Sequence, residues 1–431
     1  MVKFLFLLMC CSSFTLASAV KNESVLKPLI AGVTGTNEYM PSKLHIESDT
    51  LYVCTSNGLV IKSLKTDDPH SVIAFEGYDI VDYAKNGNKI LGVVAARFSH
   101  NEKMLLISND GGKTCEDFTP DCFKDKYGWI ISMVQHPTDK NTILIIDAMC
   151  GLSRTTDFGK HWEVLNEIGM ENPHGRIEYH PLHSEIICYH SEDAAMQAVL
   201  SCSYDNGATW NYHNEIFSEG DNCMHQIAFH PKDKNQWIFS GEGIIGKTTD
   251  CGETWKIVMD DFISNKWDVG YLYNIVWDTQ NPNFIYCSSF IERDGKTKIE
   301  MLVSANGGET WEKTFVSEAF SYWYDMIEYE DKLIIYNEQG VYMVDKSDLM
   351  PVTGIHETAE IMEAVTVAGD CIYLNHVSSV SRIDIFDSNG SSVYTVQHPQ
   401  NPEISIGGLE KGVYVLSFQS EGNTYTRKIV R

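Results

Sequence analysis

The amino-acid sequence predicts an all-β protein: a seven-bladed β-propeller followed by a small Ig-like β-sandwich. Three observations predict this fold. A short turn motif recurs five times, and a second turn motif precedes most of its copies. Near the C-terminus the predicted strands follow one another more closely. Self-similarity of this kind is typical of repeat architectures. We divide the 431 residues into a signal peptide (1–19), a propeller (20–355) and a C-terminal domain (356–431).

The first turn motif follows the pattern Ser/Thr-x-Asp-x-Gly-x-Thr-Trp. The aspartate can accept hydrogen bonds from turn amides, glycine supplies a positive φ, and the tryptophan starts the next strand and packs inward. Cys115 replaces the tryptophan in the first copy. The residues to which we assign this structural role are Asp110, Asp157, Asp205, Asp250 and Asn306, with Trp162, Trp210, Trp255 and Trp311.

The spacing of these boxes predicts the number of blades. Successive copies lie 45 to 56 residues apart, which suits one four-stranded blade per copy. Two further units, at 43–75 and 321–344, lack the box but keep the strand rhythm, so we count seven blades. The apolar segment 26–30 is placed to pair with the last blade and close the ring, which removes an exposed edge.

The second turn motif is a Pro/Asn/Asp turn between two apolar strands, and three of its copies contain a His-Pro pair. His136, His180 and His230 occupy the same place in different repeats, so a ring spreads them apart. A metal site needs its ligands at one point. We therefore predict no metal site and no other cofactor.

The two turn motifs together resemble the Asp-box, or bacterial neuraminidase, repeats of sialidases, sortilin-type receptors and xyloglucan-degrading glycosidases. The resemblance covers about residues 40 to 345. It implies a propeller of the sialidase-like superfamily, in which the box is a structural turn that lies away from the catalytic face. It implies nothing specific about the ligand.

The C-terminal segment carries Ile-Phe-Asp-x-x-Gly at 385–390, Leu-x-x-Gly-Val-Tyr at 409–414 and a terminal Lys-Ile-Val at 428–430. This order resembles the C-terminal sorting domain of type IX secretion cargo. The resemblance implies the type IX secretion translocon as a partner, and a location in the medium or on the outer cell surface.

The N-terminus has the features of a signal peptide. Lys3 precedes an apolar run at 4–10, and Ala17-Ser18-Ala19 forms a small-residue cleavage site, so we predict cleavage after Ala19. The run is too short to span a bilayer, and no later run approaches the roughly 20 apolar residues that a membrane helix needs. We predict no membrane span.

Charge and cysteine content narrow the partners further. The formal net charge is −26, so the chain lacks the clustered positive charge that nucleic-acid binding requires. Export permits disulfides. Cys115 and Cys122 flank a short loop, and Cys188 and Cys202 fit on neighbouring strands, but spacing alone does not determine pairing.

The candidate ligand site lies on one face of the disc. The box joins the third and fourth strands of a blade and the His-Pro turn joins the first and second, so both lie on the same face. We expect ligand binding on the opposite, non-box face, where aromatic rings suit sugars. The candidate ligand-binding residues are Trp129, His174, Arg176, His225, Trp267, Tyr271, Tyr273 and Trp323.

Three functions remain open. The first is a noncatalytic, exported glycan- or protein-binding module. The alternative is a glycoside hydrolase acting on extracellular polysaccharide, which needs two carboxylates at one bond; the third is a scaffold or assembly factor for exported proteins. A close carboxylate pair on the non-box face favours hydrolysis, and an aromatic shelf without one favours binding. The carboxylate candidates, of which none stands out as a pair, are Asp147, Asp221, Glu242 and Asp268.

Overall fold

The chain forms two compact units, residues 1–351 and 352–431. The signal-peptide prediction, residues 1–19, and the predicted domain boundary at 355/356 lie outside the described residues. The computed structural model describes residues 21–35, 43–66, 71–95, 103–124, 130–147, 151–167, 175–192, 198–213, 224–260, 270–293, 296–320, 323–350, 365–368, 371–374, 380–387, 392–397, 399–420 and 423–430.

The first unit contains seven antiparallel sheets of four strands each, so the predicted seven-bladed propeller is confirmed. The strands are β1 (Lys27–Ala31) in blade 7; β2 (Leu44–Glu47), β3 (Thr50–Thr55), β4 (Gly58–Ser63) and β5 (Val72–Ala74) in blade 1; β6 (Ile80–Asn86), β7 (Lys89–Val94), β8 (Leu105–Ser108) and β9 (Glu116–Asp117) in blade 2; β10 (Ile130–Gln135), β11 (Ile143–Asp147), β12 (Gly151–Thr155) and β13 (Glu163–Glu167) in blade 3; β14 (Arg176–His180), β15 (His183–Glu192), β16 (Ala198–Ser203) and β17 (Asn211–His213) in blade 4; β18 (Met224–Phe229), β19 (Trp237–Gly241), β20 (Ile244–Thr248) and β21 (Lys256–Asp260) in blade 5; β22 (Tyr271–Trp277), β23 (Ile285–Arg293), β24 (Lys296–Ser304) and β25 (Glu312–Ser317) in blade 6; and β26 (Trp323–Tyr329), β27 (Lys332–Asn337) and β28 (Gly340–Asp345) in blade 7.

Helical structure in the described residues is limited to three short segments: a 3-10 turn at Glu23–Val25, α1 (Asp121–Lys124) and α2 (Lys346–Leu349).

Two contacts close the ring. The N-terminal strand β1 pairs antiparallel with β28 and so supplies the outermost strand of blade 7. The innermost strand of that blade, β26, contacts β2 of blade 1. A closed ring of blades avoids the long exposed sheet edges that an open array would have.

The hydrophobic core is divided among the interfaces between blades. Seven apolar clusters occur in the described part of the first unit, and each combines buried residues of two neighbouring blades. The cluster between blades 7 and 1, for example, joins Leu51 and Val53 to Ile334 and Tyr336, all fully buried. Because no blade buries its apolar faces alone, stability depends on the ring being complete.

The repeated turn has the geometry that its residues require. In the copy between β16 and β17, Asp205 Oδ1 accepts from Thr209 N at 2.8 Å and from Ser203 Oγ at 2.8 Å, and Asp205 Oδ2 accepts from Thr209 Oγ1 at 2.6 Å. Gly207 has φ +83°, where side chains are disfavoured. Its carbonyl accepts from Trp210 Nε1 at 3.2 Å. All of these bonds join residues within 203–210, so the hairpin is held by local contacts.

The other four turns keep the central bond. In each, the residue four places on donates its amide to the Oδ1 atom of Asp110, Asp157, Asp250 or Asn306 at 2.9 Å. The half-buried indoles of Trp162, Trp210, Trp255 and Trp311 pack against the clusters between blades.

The second unit is also built of strands. A three-stranded sheet has the order β29-β30-β33 and a four-stranded sheet the order β32-β31-β34-β35. Its core contains Ile372, Ile383, Ile385, Tyr414 and Leu416. The strands are β29 (Val365–Ala368), β30 (Cys371–Leu374), β31 (Val380–Phe386), β32 (Ser392–Gln397), β33 (Glu403–Ser405), β34 (Val413–Ser420) and β35 (Asn423–Val430).

Candidate functional site

The non-box face carries the first residues of the inner strands. Each inner strand runs from this face to the hairpin that joins it to the second strand, and the boxes lie at that far end. Arg176 is the first residue of β14, His225 the second of β18, and Tyr271 the first of β22. Three predicted ligand-binding residues therefore lie at the same end of three consecutive blades.

His225, Tyr271, Tyr273 and Phe290 form a cluster at this face, which we call the rim aromatic cluster. The His225 and Tyr273 rings stack with centroids 4.4 Å apart and planes at 15°. Tyr271 lies 6.3 Å from Tyr273 at 29°, and Phe290 lies 6.1 Å from Tyr271 and 6.5 Å from Tyr273. All four side chains are half-buried. They form a partly exposed aromatic surface across blades 5 and 6.

The orientation of the histidine ring is fixed by the backbone. His225 Nδ1 lies 2.9 Å from the carbonyl oxygen of Leu272. A carbonyl can only accept, so Nδ1 carries the proton and Nε2 is the acceptor nitrogen of the neutral ring. The imidazole thus combines a stacked face with a hydrogen-bonding edge.

Glu242 lies next to this cluster. It belongs to the hairpin between β19 and β20, forms a β-bridge with Tyr271, and is half-buried. Of the carboxylate candidates, it is the one that the described structure places beside the aromatic rings.

Asp147, by contrast, stabilises the hairpin to which it belongs. It is 4% exposed, and its Oδ1 accepts from the amide of Gly151 at 3.2 Å. A Cβ atom at Gly151 would lie 2.9 Å from Asp147 Oδ2. The glycine and the carboxylate are packed together, so this side chain performs a structural task in the β11–β12 turn.

Trp323 differs from the expected ligand-facing ring. Its side chain is 3% exposed and packs in the cluster between blades 6 and 7, with its ring centroid 5.7 Å from that of Phe315. The prediction that this indole faces a ligand is wrong, because the first residue of β26 points between blades. The predictions for Trp129, His174, Asp221, Trp267 and Asp268 lie outside the described residues.

A cavity of about 640 Å³ lies among the inner strands, and we call it the channel cavity. Its lining includes side chains from β2, β6, β10, β14, β18 and β26, and Arg176 is the predicted site residue that lines it. The other ionisable residues of the lining are Lys43, His45, Glu47, Lys85, Lys140, Glu178 and Asp325.

The charges around this cavity are mostly paired. Lys43 donates to Asp82 Oδ2, and Lys85 Nζ lies 2.9 Å from Glu47 Oε2. Burial opposes ionisation of Asp82, but Lys43 and then His45 lower its pKa below the usual value. Asp325 has the opposite balance, because burial raises the pKa of its carboxyl.

The sequence reasoning missed this lining. The signal is present in β2, where Leu44 and Ile46 alternate with His45 and Glu47. Such period-two alternation predicts one polar face. What the alternation does not reveal is that residues of six strands line one cavity.

The histidines of the second turn motif cap their own turns. The Nδ1 atoms of His136, His180 and His230 each accept from the backbone amide two residues on, at 3.0 to 3.2 Å. Burial lowers the pKa of His180 to about 4, assisted by the charge of His183. A neutral imidazole with an accepting Nδ1 is what the turn requires.

One of the two candidate cysteine pairs is brought together. Cys188 and Cys202 are directly opposite each other on β15 and β16, both are fully buried, and their Sγ atoms lie 2.7 Å apart. Cys115 is exposed, and the side chain of Cys122 lies outside the described part of the chain.

Comparison with solved structures supports the propeller fold. A structure of YCF48 bound to D1 peptide is 18% identical, covers 74% of this chain and 96% of its own, and has a TM-score of 0.52. A GH74 enzyme from Niastella koreensis is 14% identical, with a TM-score of 0.58, and a GH74 xyloglucanase from Xanthomonas campestris is 13% identical, with 0.52. Both alignments cover 94% of this chain and 67% of the other. At these identities the likeness is one of fold alone.

No curated protein matches the chain. None of the helices in the described residues has the length and apolar character needed to cross a bilayer.

The C-terminal unit matches a known family. Residues 366–431 match the family described as the secretion system C-terminal sorting domain. The C-terminal residues therefore belong to that family, and they direct the protein through type IX secretion to the cell surface or the medium.

Proposed function

We propose that this exported propeller binds a glycan on the rim aromatic cluster and does not hydrolyse it. The stacked pair His225 and Tyr273 carries the proposal, because it presents two nearly parallel, partly exposed rings at one place. The C–H faces of a sugar pack on aromatic rings, while its hydroxyls need nearby polar groups. Glu242, beside Tyr271, supplies such a group.

The arrangement of carboxylates supports binding over hydrolysis. Hydrolysis of a glycoside needs an acid and a second carboxylate on opposite sides of one bond. Asp147 is buried and bonded within its own turn, which leaves Glu242 as the one described candidate at the cluster. The GH74 neighbours share the fold and do not transfer their activity. Hydrolysis of extracellular polysaccharide therefore ranks second.

A polypeptide ligand is the remaining candidate. The YCF48 neighbour is described with a bound peptide, and the alignment covers nearly all of that chain. Half-buried aromatic rings also suit protein contacts. A peptide-binding module and a scaffold for other exported proteins both belong to this class, and a test with glycans separates them from the favoured function.

A glycan array with the full chain tests the proposal. We expect binding of one glycan class, with Tyr273→Ala weakening it at least tenfold, a loss of about 1.4 kcal/mol. The matched control is Tyr212→Ala, because Tyr212 is 47% exposed on β17, away from the cluster. Equal binding by the two variants, or binding of polypeptides with no glycan signal, contradicts the proposal.

A further inference from the structure

Among the residues that the structure describes, Arg176 differs from the other cations of the channel cavity in having no carboxylate within 4.0 Å. Lys43 pairs with Asp82, and Lys85 and Lys140 both reach Glu47. The Arg176 guanidinium makes no hydrogen bond to any residue that the structure describes, and no described carboxylate lies within 4.0 Å of it. It is nevertheless half-buried and lines the cavity. A guanidinium has five donors, and none of those of Arg176 is among the buried unpartnered atoms of the described residues, so they are open to the solvent of the cavity and to a ligand there.

The neighbouring carboxylates lie closer to other groups than to Arg176. Glu178 Oε1 lies 3.8 Å from His190 Nε2, and both histidine and Arg176 lower the pKa of Glu178 against the effect of burial. Asp325 Oδ2 accepts from Leu44 N at 2.8 Å and its Oδ1 accepts from Met326 N at 2.9 Å. These acids therefore moderate the positive charge of Arg176 without occupying its donors.

The charges around the cavity favour a ligand with no more than one negative charge. The four lining cations, Lys43, Lys85, Lys140 and Arg176, are balanced by the three lining acids, Glu47, Glu178 and Asp325, and by Asp82, the partner of Lys43. A monoanion at Arg176 can accept two parallel hydrogen bonds from the guanidinium. A dianion accepts the same bonds but is repelled more strongly by Glu178 and Asp325.

The size and polarity of the cavity define the ligand further. A volume of about 640 Å³ is within the range of small-molecule sites. Gln135, Gln226 and Tyr83 add polar groups to the lining. A planar carboxylate matches the guanidinium geometry. Hydroxyl groups on the same molecule can meet Tyr83 and the Nε2 atom of Gln226, whereas the amide of Gln135 already bonds to Lys85 and Lys140.

The geometry points to a second binding site in the channel cavity, for a small hydroxylated carboxylate held by the guanidinium of Arg176. The residues of the rim aromatic cluster do not line this cavity, so the site is separate from the one in the proposed function. Either site can fail without the other.

Calorimetry on the full chain at low ionic strength tests the site with a matched pair of ligands. Glucuronate and glucose share a ring and differ in the carboxylate. We expect glucuronate to bind, and glucose to bind at least tenfold more weakly. Similar affinities for the two sugars, no binding of glucuronate at millimolar concentration, or binding of inorganic phosphate as tightly as glucuronate overturns the proposal.

Two substitutions locate the site. Arg176→Gln is expected to weaken glucuronate binding at least tenfold, and Arg176→Lys to recover part of the loss, because lysine keeps the charge without the fork. Arg154→Gln is the control, since Arg154 pairs with Glu163 on β13. Glucuronate binding that Arg176→Gln leaves unchanged, or that Arg154→Gln reduces equally, contradicts the assignment.

A third measurement needs no variant. A ligand that binds only the folded state raises the melting temperature in a concentration-dependent manner. Glucuronate should therefore stabilise the unaltered chain while glucose at the same concentration does not. Equal shifts for both sugars overturn the proposal even if Arg176→Gln does not fold.

Discussion

Asp325 Oδ2 accepts a hydrogen bond from the backbone amide of Leu44 at 2.8 Å, across 281 positions of sequence. Asp325 is 6% exposed and lies on the innermost strand of the last blade, while Leu44 begins the innermost strand of the first. This bond closes the ring at its inner edge, as the pairing of β1 with β28 closes it at the outer edge.

The same type of hydrogen bond, from a backbone amide of one blade to an inner-strand side chain of the preceding blade, recurs around the ring. In four blades, the residue just after a bulge in the inner strand uses its side chain to accept a backbone amide of the following blade. The bulge turns this side chain along the ring. The pairs, from acceptor to amide, are Asp82 with Met133, Ser132 with Ile177, Gln226 with Ile275, and Asp325 with Leu44.

Loss of the hydrogen bond between Leu44 and Asp325, which closes the ring, is expected to destabilise the propeller. Asp325→Ala leaves the amides of Leu44 and Met326 without their acceptors, each worth about 1–3 kcal/mol, while it also removes a buried carboxyl. We expect the free energy of unfolding to fall by about 2 kcal/mol. Urea unfolding followed by tryptophan fluorescence measures it, since all nine tryptophans belong to residues 1–351.

Asp331→Ala is the control for this measurement. Asp331 is 72% exposed and pairs with Lys332 in the next hairpin of the same blade, so its loss should change stability by less than about 0.5 kcal/mol. Equal effects of the two substitutions contradict a special role for Asp325.

The box turns predict acid sensitivity. Hydrogen bonds from the Thr209 hydroxyl and amide lower the pKa of Asp205 to about 2 from its ordinary value of 3.8. A carboxyl with a lowered folded pKa contributes stability above the unfolded pKa, and this is lost as pH falls through the folded pKa. We therefore expect Asp205 to contribute to unfolding between about pH 4 and 2.

Asn306 provides the matched comparison within the chain. Asn306 Oδ1 accepts from Thr310 N at 2.9 Å, and its Nδ2 donates to Thr310 Oγ1 at 2.8 Å, so an amide satisfies the same turn without titrating. Asp205→Asn should fold and show a smaller loss of melting temperature from pH 5 to pH 2.5. An unchanged acid profile for Asp205→Asn contradicts this assignment.

Substitution of Trp323 should act on stability and not on a binding surface. The indole is buried between blades 6 and 7, and Trp→Ala changes in cores cost about 3–5 kcal/mol. We expect Trp323→Ala to lower the urea midpoint strongly and Trp323→Phe to lower it less. Selective loss of glycan binding at unchanged stability contradicts the buried assignment.

Cys188 and Cys202 are predicted to form a disulfide in the exported protein. Their Sγ atoms meet across β15 and β16. Alkylation in denaturant, without reductant, should leave both unlabelled, and labelling should appear after reduction. Cys54 and Cys287 are the controls, because both are buried thiols that denaturant exposes to the reagent. Labelling of all four cysteines before reduction contradicts the disulfide.

The sequence contained most of the fold because the determining information is local. Asp205, Gly207 and Trp210 specify one hairpin, and its repetition sets the period of the blades. The tail motifs likewise indicated the sorting domain.

The channel cavity could not be predicted in this way. Lys43, Lys85 and Arg176 come from three different blades and meet only when the ring closes. Trp323 was misjudged for a related reason: an aromatic residue at the start of an inner strand can point to the non-box face or between blades. Tyr271 is half-buried and Trp323 is 3% exposed, and the amino-acid sequence alone does not distinguish the two positions.

Prolonged incubation of the full chain with its bound glycan tests most directly whether the rim aromatic cluster holds a sugar without cleaving it. The glycan is recovered and its reducing ends are counted, while saturation-transfer NMR records contact with the protein. We predict intact glycan, with sugar contacts that Tyr273→Ala abolishes. New reducing ends that disappear in Glu242→Gln contradict a noncatalytic role.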